Sequence, residues 1–217
     1  MLYFACIKEF GELPQSEIEK IYLFDNMPDN WTYPLIQPKL IDKVISEKEA
    51  WDAYDKEGNK LGFDIYRDEP APEGVYLIVV GIYTFSRDGK ILVTQRAANK
   101  GYPLKWENTG GAKLKGETPL QGAVRELKEE TGIVISEDKI ALAYTEVNEP
   151  GIYKGFVALA DGSEKIILQE GETVDYKWLI YDEYLSLIKT DNFVDRVADR
   201  FLRNKEKIEK TLDLLRQ

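Results

Sequence analysis

Glu126, Glu129 and Glu130 stand on a stretch, Pro119 to Thr131, whose punctuation is helical at both ends. Thr118 suits the N-cap, Pro119 the first helical position and Gln121 the capping-box partner, while Gly132 suits a left-handed stop. At about 100° per residue, Leu120, Ala123, Val124 and Leu127 form an apolar stripe, and the three glutamates crowd into an arc of about 100° beside it. Carboxylates roughly 6 Å apart repel by about 0.7 kcal/mol per pair in bulk water, and by about 3 kcal/mol at an effective dielectric of ~20. Such a cluster at the margin of a buried face needs a counterion. Hard oxygen ligands suit Mg²⁺ or Mn²⁺, which keep several waters and commonly complete their shells with substrate phosphates. A glutamate-rich helix face can equally be plain solvated surface, so the surrounding residues have to decide.

Composition narrows the chemistry. Lys and Arg number 29 against 39 Asp and Glu, a net charge of −10, which argues against nucleic-acid polymers gripped by a broad basic face. A small anion held through metal ions stays compatible with that balance. Histidine is absent, so acid-base work must fall to carboxylates, Lys, Tyr or metal-bound water. Cys6 is the single cysteine, which excludes an intrachain disulfide and fits a reducing, cytoplasmic setting. Residues 1–10 lack a basic stretch leading into a long apolar run, and the apolar run Val75 to Phe85 is too short to span a bilayer as a helix. With 217 residues, the chain has room for one full domain plus an appendage, or two small domains, and can bury roughly 70% of its unfolded surface.

The elements that must position the glutamates come in three regions. In residues 1–46, Ser16-Glu17-Ile18-Glu19 reads as a capping box opening a short helix, followed by a Pro-containing stretch to Pro38; no chemistry attaches to this extension. From Trp51 the pattern turns to strands. Gly58-Asn59 separates Trp51–Tyr54 from Leu61–Tyr66, and Asp88-Gly89 separates Tyr76–Phe85 from Ile91–Gln95, a strong hairpin signal. Ile140–Val147, Ile152–Ala160, Ile166–Leu168 and Val174–Ile180 are further strand candidates. Beyond Asp182 the reading is helical: Val194, Val197, Phe201, Ile208, Leu212 and Leu215 recur at helical spacing, and residues 191–217 form a helix that packs on the domain or on a second copy in a homodimer.

The string Gly111, five residues, Glu117, seven residues, Arg125-Glu126-Leu127, one residue, Glu129-Glu130, one residue, Gly132-Ile133 resembles in full the Nudix box, G-x5-E-x7-R-E-U-x-E-E-x-G-U, with U a bulky aliphatic residue. Trp106-Glu107-Asn108-Thr109-Gly110-Gly111 resembles the family's W-E-x-x-G-G lead-in, and Gln95-Arg96 its Q-R strand end. The resemblance covers roughly residues 47–185, with the domain set at 47–190.

The resemblance implies an α/β (α+β-like) fold, an α/β/α sandwich with a mixed sheet. It implies a Mg²⁺- or Mn²⁺-dependent hydrolase that cuts the diphosphate linkage of a nucleoside diphosphate joined to another group. Glu126, Glu129 and Glu130 would bind the metal with the Gly111 carbonyl, and Glu117 would lie near the cluster. Arg125 would pair with Glu117, and Arg125 and Arg96 would stand on the substrate side. Glu126, Glu129 and a further carboxylate ahead of Trp178 would carry catalysis; Glu172 fits that last place better than Glu170. Trp51, Tyr54, Gly58 and Glu73 to Tyr76 resemble the branch that contains isopentenyl-diphosphate isomerase. Leu77 and Gly81 stand where that branch often has histidines, and the domain lacks the cysteine and histidine that isomerisation needs, so Trp51 and Tyr54 read as packing. The alternative reading is a ligand-binding sensor or interaction module of the same fold without turnover; such modules often lose box carboxylates, which this chain keeps.

Overall fold

A computed structural model describes residues 49–67, 69–148 and 150–217. The capping-box helix and the rest of the 1–46 extension lie outside the described residues. Strands β1 (Ala50–Tyr54) and β2 (Lys60–Tyr66) form an antiparallel hairpin, as the Gly58-Asn59 turn predicts. Strands β3 (Leu77–Ser86), β4 (Ile91–Arg96), β5 (Trp106–Glu107), β6 (Gly110–Ala112), β7 (Ile140–Asn148), β8 (Gly151–Ala160) and β9 (Thr173–Leu179) form a seven-stranded sheet. Its main order is β5-β4-β3-β8-β7, with β6 paired to β3 and β9 to β4. The sheet is mixed: β3 and β8 run parallel from Leu77 opposite Gly151 to Ser86 opposite Ala160, and the other pairs are antiparallel.

Period-two alternation buries both faces of this sheet. Val80 and Ile82 of β3, Leu92 of β4 and Phe156 of β8 face helix α1 (Pro119–Thr131), which contributes Ala123 and Leu127. The intervening Tyr83 and Phe85, Ile91 and Val93, and Val157 face helices α2 (Tyr181–Leu187) and α3 (Asp195–Leu215). The result is the three-layer α/β/α sandwich expected from the sequence. Tyr54, buried and bridged through its backbone to Tyr76, closes the edge of the α1-side core, while Trp51 packs beside Ala53, Ile65 and Val75.

Two elements depart from expectation. Ile166–Leu168 form no strand. The Ile167 amide instead donates to the Thr131 carbonyl at 2.8 Å, satisfying an orphan group at the end of α1, and Ile166 packs on the core. The helical reading beyond Asp182 is interrupted between α2 and α3, because Trp106 draws that backbone into pairing: its amide donates to Asn192 O at 2.7 Å and its carbonyl accepts from Val194 N at 2.9 Å. The last helix therefore starts at Asp195, and its apolar face is covered within the chain.

Phe201 of α3 is fully buried against Tyr83, Tyr181 and Tyr184. Truncating a buried aromatic costs about 3–5 kcal/mol. Phe201→Ala should therefore lower the unfolding free energy in a denaturant titration by that amount; a loss under about 1 kcal/mol would show that α3 is not integral to the fold.

Candidate active site

Local sequence fixes α1 firmly. Thr118 Oγ1 accepts from the Gln121 amide at 3.2 Å while Gln121 Oε1 accepts from the Thr118 amide at 2.8 Å, a complete capping box. Gly132 ends the helix at φ +74° with its amide on Lys128 O. Leu127 and Ala123 are fully buried, and Leu120 and Val124 pack beside them, so the glutamates at 126 and 130 are carried to the rim of the core.

The loop leading into α1 is clamped by the β1–β2 hairpin. Asp52 of β1 accepts from the buried Lys113 Nζ at 2.6 Å, from the Gly116 amide at 3.1 Å and from Lys60 at 3.0 Å, and the Lys115 amide donates to Ala50 O at 2.8 Å. Burial pushes the Asp52 carboxyl up, but the hydrogen bonds from Lys113 and Lys60 outweigh it and hold the group well below the usual carboxylate range. Gly110 and Gly111 approach neighbouring groups too closely for any side chain. A Cβ on Gly110 would run into the Val80 carbonyl oxygen, and one on Gly111 would meet the Glu126 carboxylate. The Glu126 carboxylate thus lies directly over the Gly111 backbone.

Arg125 ties the box together. It donates from Nε to Glu117 Oε1 at 2.8 Å, from Nη1 to Glu126 and Glu129 at 2.9 Å each, and from Nη2 to Ala112 O and Glu117 Oε2 at 3.0 and 3.2 Å. The pairing with Glu117 is the expected one. Every guanidinium N–H is thereby spent on the protein, so Arg125 acts as a scaffold in this arrangement and presents no donor to a substrate. Glu117 also accepts from the Leu114 amide at 2.9 Å and faces Arg125 and the loop. Glu129 stands on the outer, more exposed side.

The inner cluster centres on Glu130. Burial pushes its carboxyl well up, and the charges of Glu107, Glu126 and Glu172 push it further, against a hydrogen bond from the Gly110 amide. Its Oε2 is buried with no hydrogen-bond partner. Burial likewise raises Glu126, to about 6, with Arg125 opposing and Glu129 and Glu49 adding to the rise. Glu172 lies within electrostatic reach of Glu130, held by ion pairs to Lys100 and, at 3.8 Å, to Arg67. Arg96 bonds Glu107 at 2.5 Å and the Gly101 carbonyl, so it braces a site carboxylate. Burial raises Glu107 despite the nearby Arg96. Sequence reasoning passed over Glu107, although it lies in the W-E-x-x-G-G string, and over Glu49, Arg67 and Lys100, which carry no local signal.

Among the described residues, no group of three or more Asp, Glu or Cys side chains is gathered closely enough to hold a metal ion as they stand. The donor set nevertheless fits a hard divalent cation. A buried carboxylate oxygen without a hydrogen-bond partner among the described residues, with three further carboxylates within electrostatic reach, is an excess of negative charge that a cation with oxygen ligands satisfies, and Mg²⁺-type ions retain water and substrate oxygens in their shells.

Comparison with protein-family models matches residues 75–201 to the NUDIX domain. The chain belongs to the Nudix family of hydrolases. An uncharacterised Nudix hydrolase of Listeria monocytogenes is 28% identical over 149 residues, covering 67% of this chain and 88% of that protein. The 8-oxo-dGTP diphosphatase of Escherichia coli is 46% identical over 56 residues, 26% of this chain and 43% of that enzyme. Among solved structures, a Deinococcus radiodurans protein superimposes with a TM-score of 0.53 at 19% identity, covering 64% of this chain and 87% of that one, a likeness of fold. Nudix hydrolases in general use a divalent metal.

The raised carboxyls make a pH prediction. A carboxyl whose folded pKa exceeds its unfolded value contributes stability that is full below the unfolded value and lost as pH rises through the folded one. For Glu126 the window runs from 4.5 to about 6, a loss of about 2 kcal/mol, and Glu130 extends it upward. Asp52, shifted the other way, loses its contribution only below its ordinary value of 3.8, and no histidine titrates in between. In a chelator, the melting temperature of this Nudix protein should fall between pH 4.5 and 7, and Glu126→Gln should flatten the slope. A melting temperature that climbs over that range would contradict the assignment.

Proposed function

We propose that this Nudix protein is a Mg²⁺- or Mn²⁺-dependent hydrolase of the diphosphate linkage in a nucleoside diphosphate joined to a further group. The observation that carries the reading is the buried, unpartnered Glu130 oxygen amid Glu107, Glu126 and Glu172. In this reading Glu126 and Glu130 hold the cation, with Glu129 and the Gly111 carbonyl as further ligands and Glu117 at the outer side. Residues 47–190 are read as the catalytic domain, with 191–217 as its covering helix.

The chain's own residues supply the rest. Arg125 holds Glu117, Glu126 and Glu129 in register, so little reorganisation is needed when charge develops. Glu172, positioned by Lys100 and Arg67, accepts a proton from the attacking water as oxygen bonds to phosphorus and the anhydride P–O bond breaks, its electron pair leaving with the departing phosphate. Two phosphates and several carboxylates cannot share so small a space uncompensated; a bound divalent cation supplies the neutralising charge and lowers the pKa of water.

Turnover over a panel of nucleoside triphosphates, nucleotide sugars, dinucleoside polyphosphates, ADP-ribose and prenyl diphosphates should require Mg²⁺ or Mn²⁺ and vanish with a chelator. Full turnover in metal-free buffer would refute the mechanism, and no turnover of any compound would favour a sensor. Glu130→Gln and Glu129→Gln should each lower kcat on the order of 10²-fold or more with the fold intact. Near wild-type turnover in both would reduce the helix face to solvated surface. Glu172→Gln should lose kcat with little change in melting temperature while Glu170→Gln keeps it; the reverse pattern would move the base by two residues.

A further inference from the structure

A cleft of about 160 Å³ runs from Gly110 and Gly111, under the Glu126 carboxylate, across β3, β7 and β8 to the first turns of α3. Four cations line it in a chain whose net charge is −10: Arg96, Lys154, Arg196 and Arg200. Arg96 is bound to Glu107. Lys154 shares the α1 face of the sheet with Val80 and Phe156, where its Nζ donates to Thr145 Oγ1 at 3.3 Å. Among the described residues neither Arg196 nor Arg200 makes an ion pair, though the Arg196 charge acts on Glu107 and that of Arg200 on Glu146. Carboxylates outnumber cations in this protein, so two arginines left without an ion pair beside a single cleft mark a place that can take an anion from outside.

The aromatic residues present point the same way. The Arg200 guanidinium lies 4.2 Å from the Tyr153 ring centroid and that of Arg196 lies 5.0 Å from Tyr102, so a face of each ring is already covered by a cation. Stacking on tyrosine holds a guanidinium in place while leaving its edge donors free, which suits the recognition of phosphate oxygens. The tyrosine hydroxyls deeper in the wall are engaged with each other, Tyr83 with Tyr144 at 2.9 Å. The cleft is also smaller than the roughly 300–1,000 Å³ of a site that encloses a whole ligand, so it fits a substituent.

We propose that this cleft is a subsite for a phosphomonoester that the substrate carries outside its diphosphate linkage, recognised by Arg196 and Arg200. The proposal rests on the reading of the neighbouring site as a diphosphate hydrolase. It makes the C-terminal helix a determinant of specificity: the substrates preferred are nucleotides with an additional phosphate on the sugar.

The test uses probes without an anhydride bond, so that nothing is cut. Adenosine 2′,5′-bisphosphate and adenosine 3′,5′-bisphosphate are compared with AMP by calorimetric titration of the full chain in Mg²⁺. The wild type should bind at least one bisphosphate ten-fold or more tighter than AMP, the Arg196→Gln/Arg200→Gln double variant should lose that preference to within two-fold, and Arg196→Lys/Arg200→Lys should retain part of it. No preference in the wild type, no binding of any probe, or a preference that survives both glutamines would overturn the subsite. Failure of the hydrolase reading is separate: a retained bisphosphate preference with no diphosphate compound hydrolysed would leave the subsite standing and remove the enzyme, whereas hydrolysis of NADP⁺ and NAD⁺ with no preference for either bisphosphate would do the reverse.

Discussion

Everything in this domain is arranged around one electrostatic liability, the carboxylate of Glu130 buried with an unpartnered oxygen and three other carboxylates within reach. A buried polar atom left unsatisfied costs about 1–3 kcal/mol, and more if charged. It persists because α1 cannot turn away: Leu127 and Ala123 on its apolar stripe are fully buried against β3, β4 and β8, and burying one such leucine is worth about 1.5–3 kcal/mol. Packing thus holds in place a charge that electrostatics alone would expel. Sites that accumulate raised carboxyls in this way are those where a cation or a proton is to be handled.

The same constraint accounts for the scaffolding. Arg125 spends its donors on Glu117, Glu126, Glu129 and the Ala112 carbonyl, linking the outer carboxylates to Glu126 and offsetting their repulsion. Asp52 and the buried Lys113 pin the loop between Gly111 and Glu117 to the hairpin, and Tyr184 donates to Asn108 at 2.8 Å, tying α2 to the turn between β5 and β6 that carries Glu107 and Gly110. The site is built on rigid elements from both faces of the sheet. The hairpin that supplies Asp52 lies outside the residues 75–201 matched to the Nudix domain, yet it clamps the loop that leads into the box helix.

How much of this was legible depended on whether the cause was local. Helix α1 could be read to the residue, because its caps, its stripe and its stop are all written within the segment Thr118–Gly132. The β3–β4 hairpin followed from Asp88-Gly89 in the same way. Strand β5 is two residues long and pairs with β4, and the three-residue β6 exists because Gly110 lets the backbone approach β3; no periodicity encodes either. Ile166–Leu168 reads as a strand but is used to satisfy the end of α1, and the break before α3 is imposed by Trp106, some ninety residues away in sequence. The glutamates of the box were visible through their spacing. Glu107, Glu49, Lys100 and Arg67 were not, since tertiary pairing alone carries them to the cluster.

The central claim is that the excess of negative charge at Glu130 is offset by a divalent cation. Calorimetric titration of Mn²⁺ into the metal-free protein at pH 6, in two buffers of different ionisation enthalpy, measures this without reference to turnover. The account predicts binding by the wild type with release of protons from the raised carboxyls, and binding at least ten-fold weaker, with less proton release, in Glu130→Gln. Equal Mn²⁺ affinity in the two proteins would contradict it.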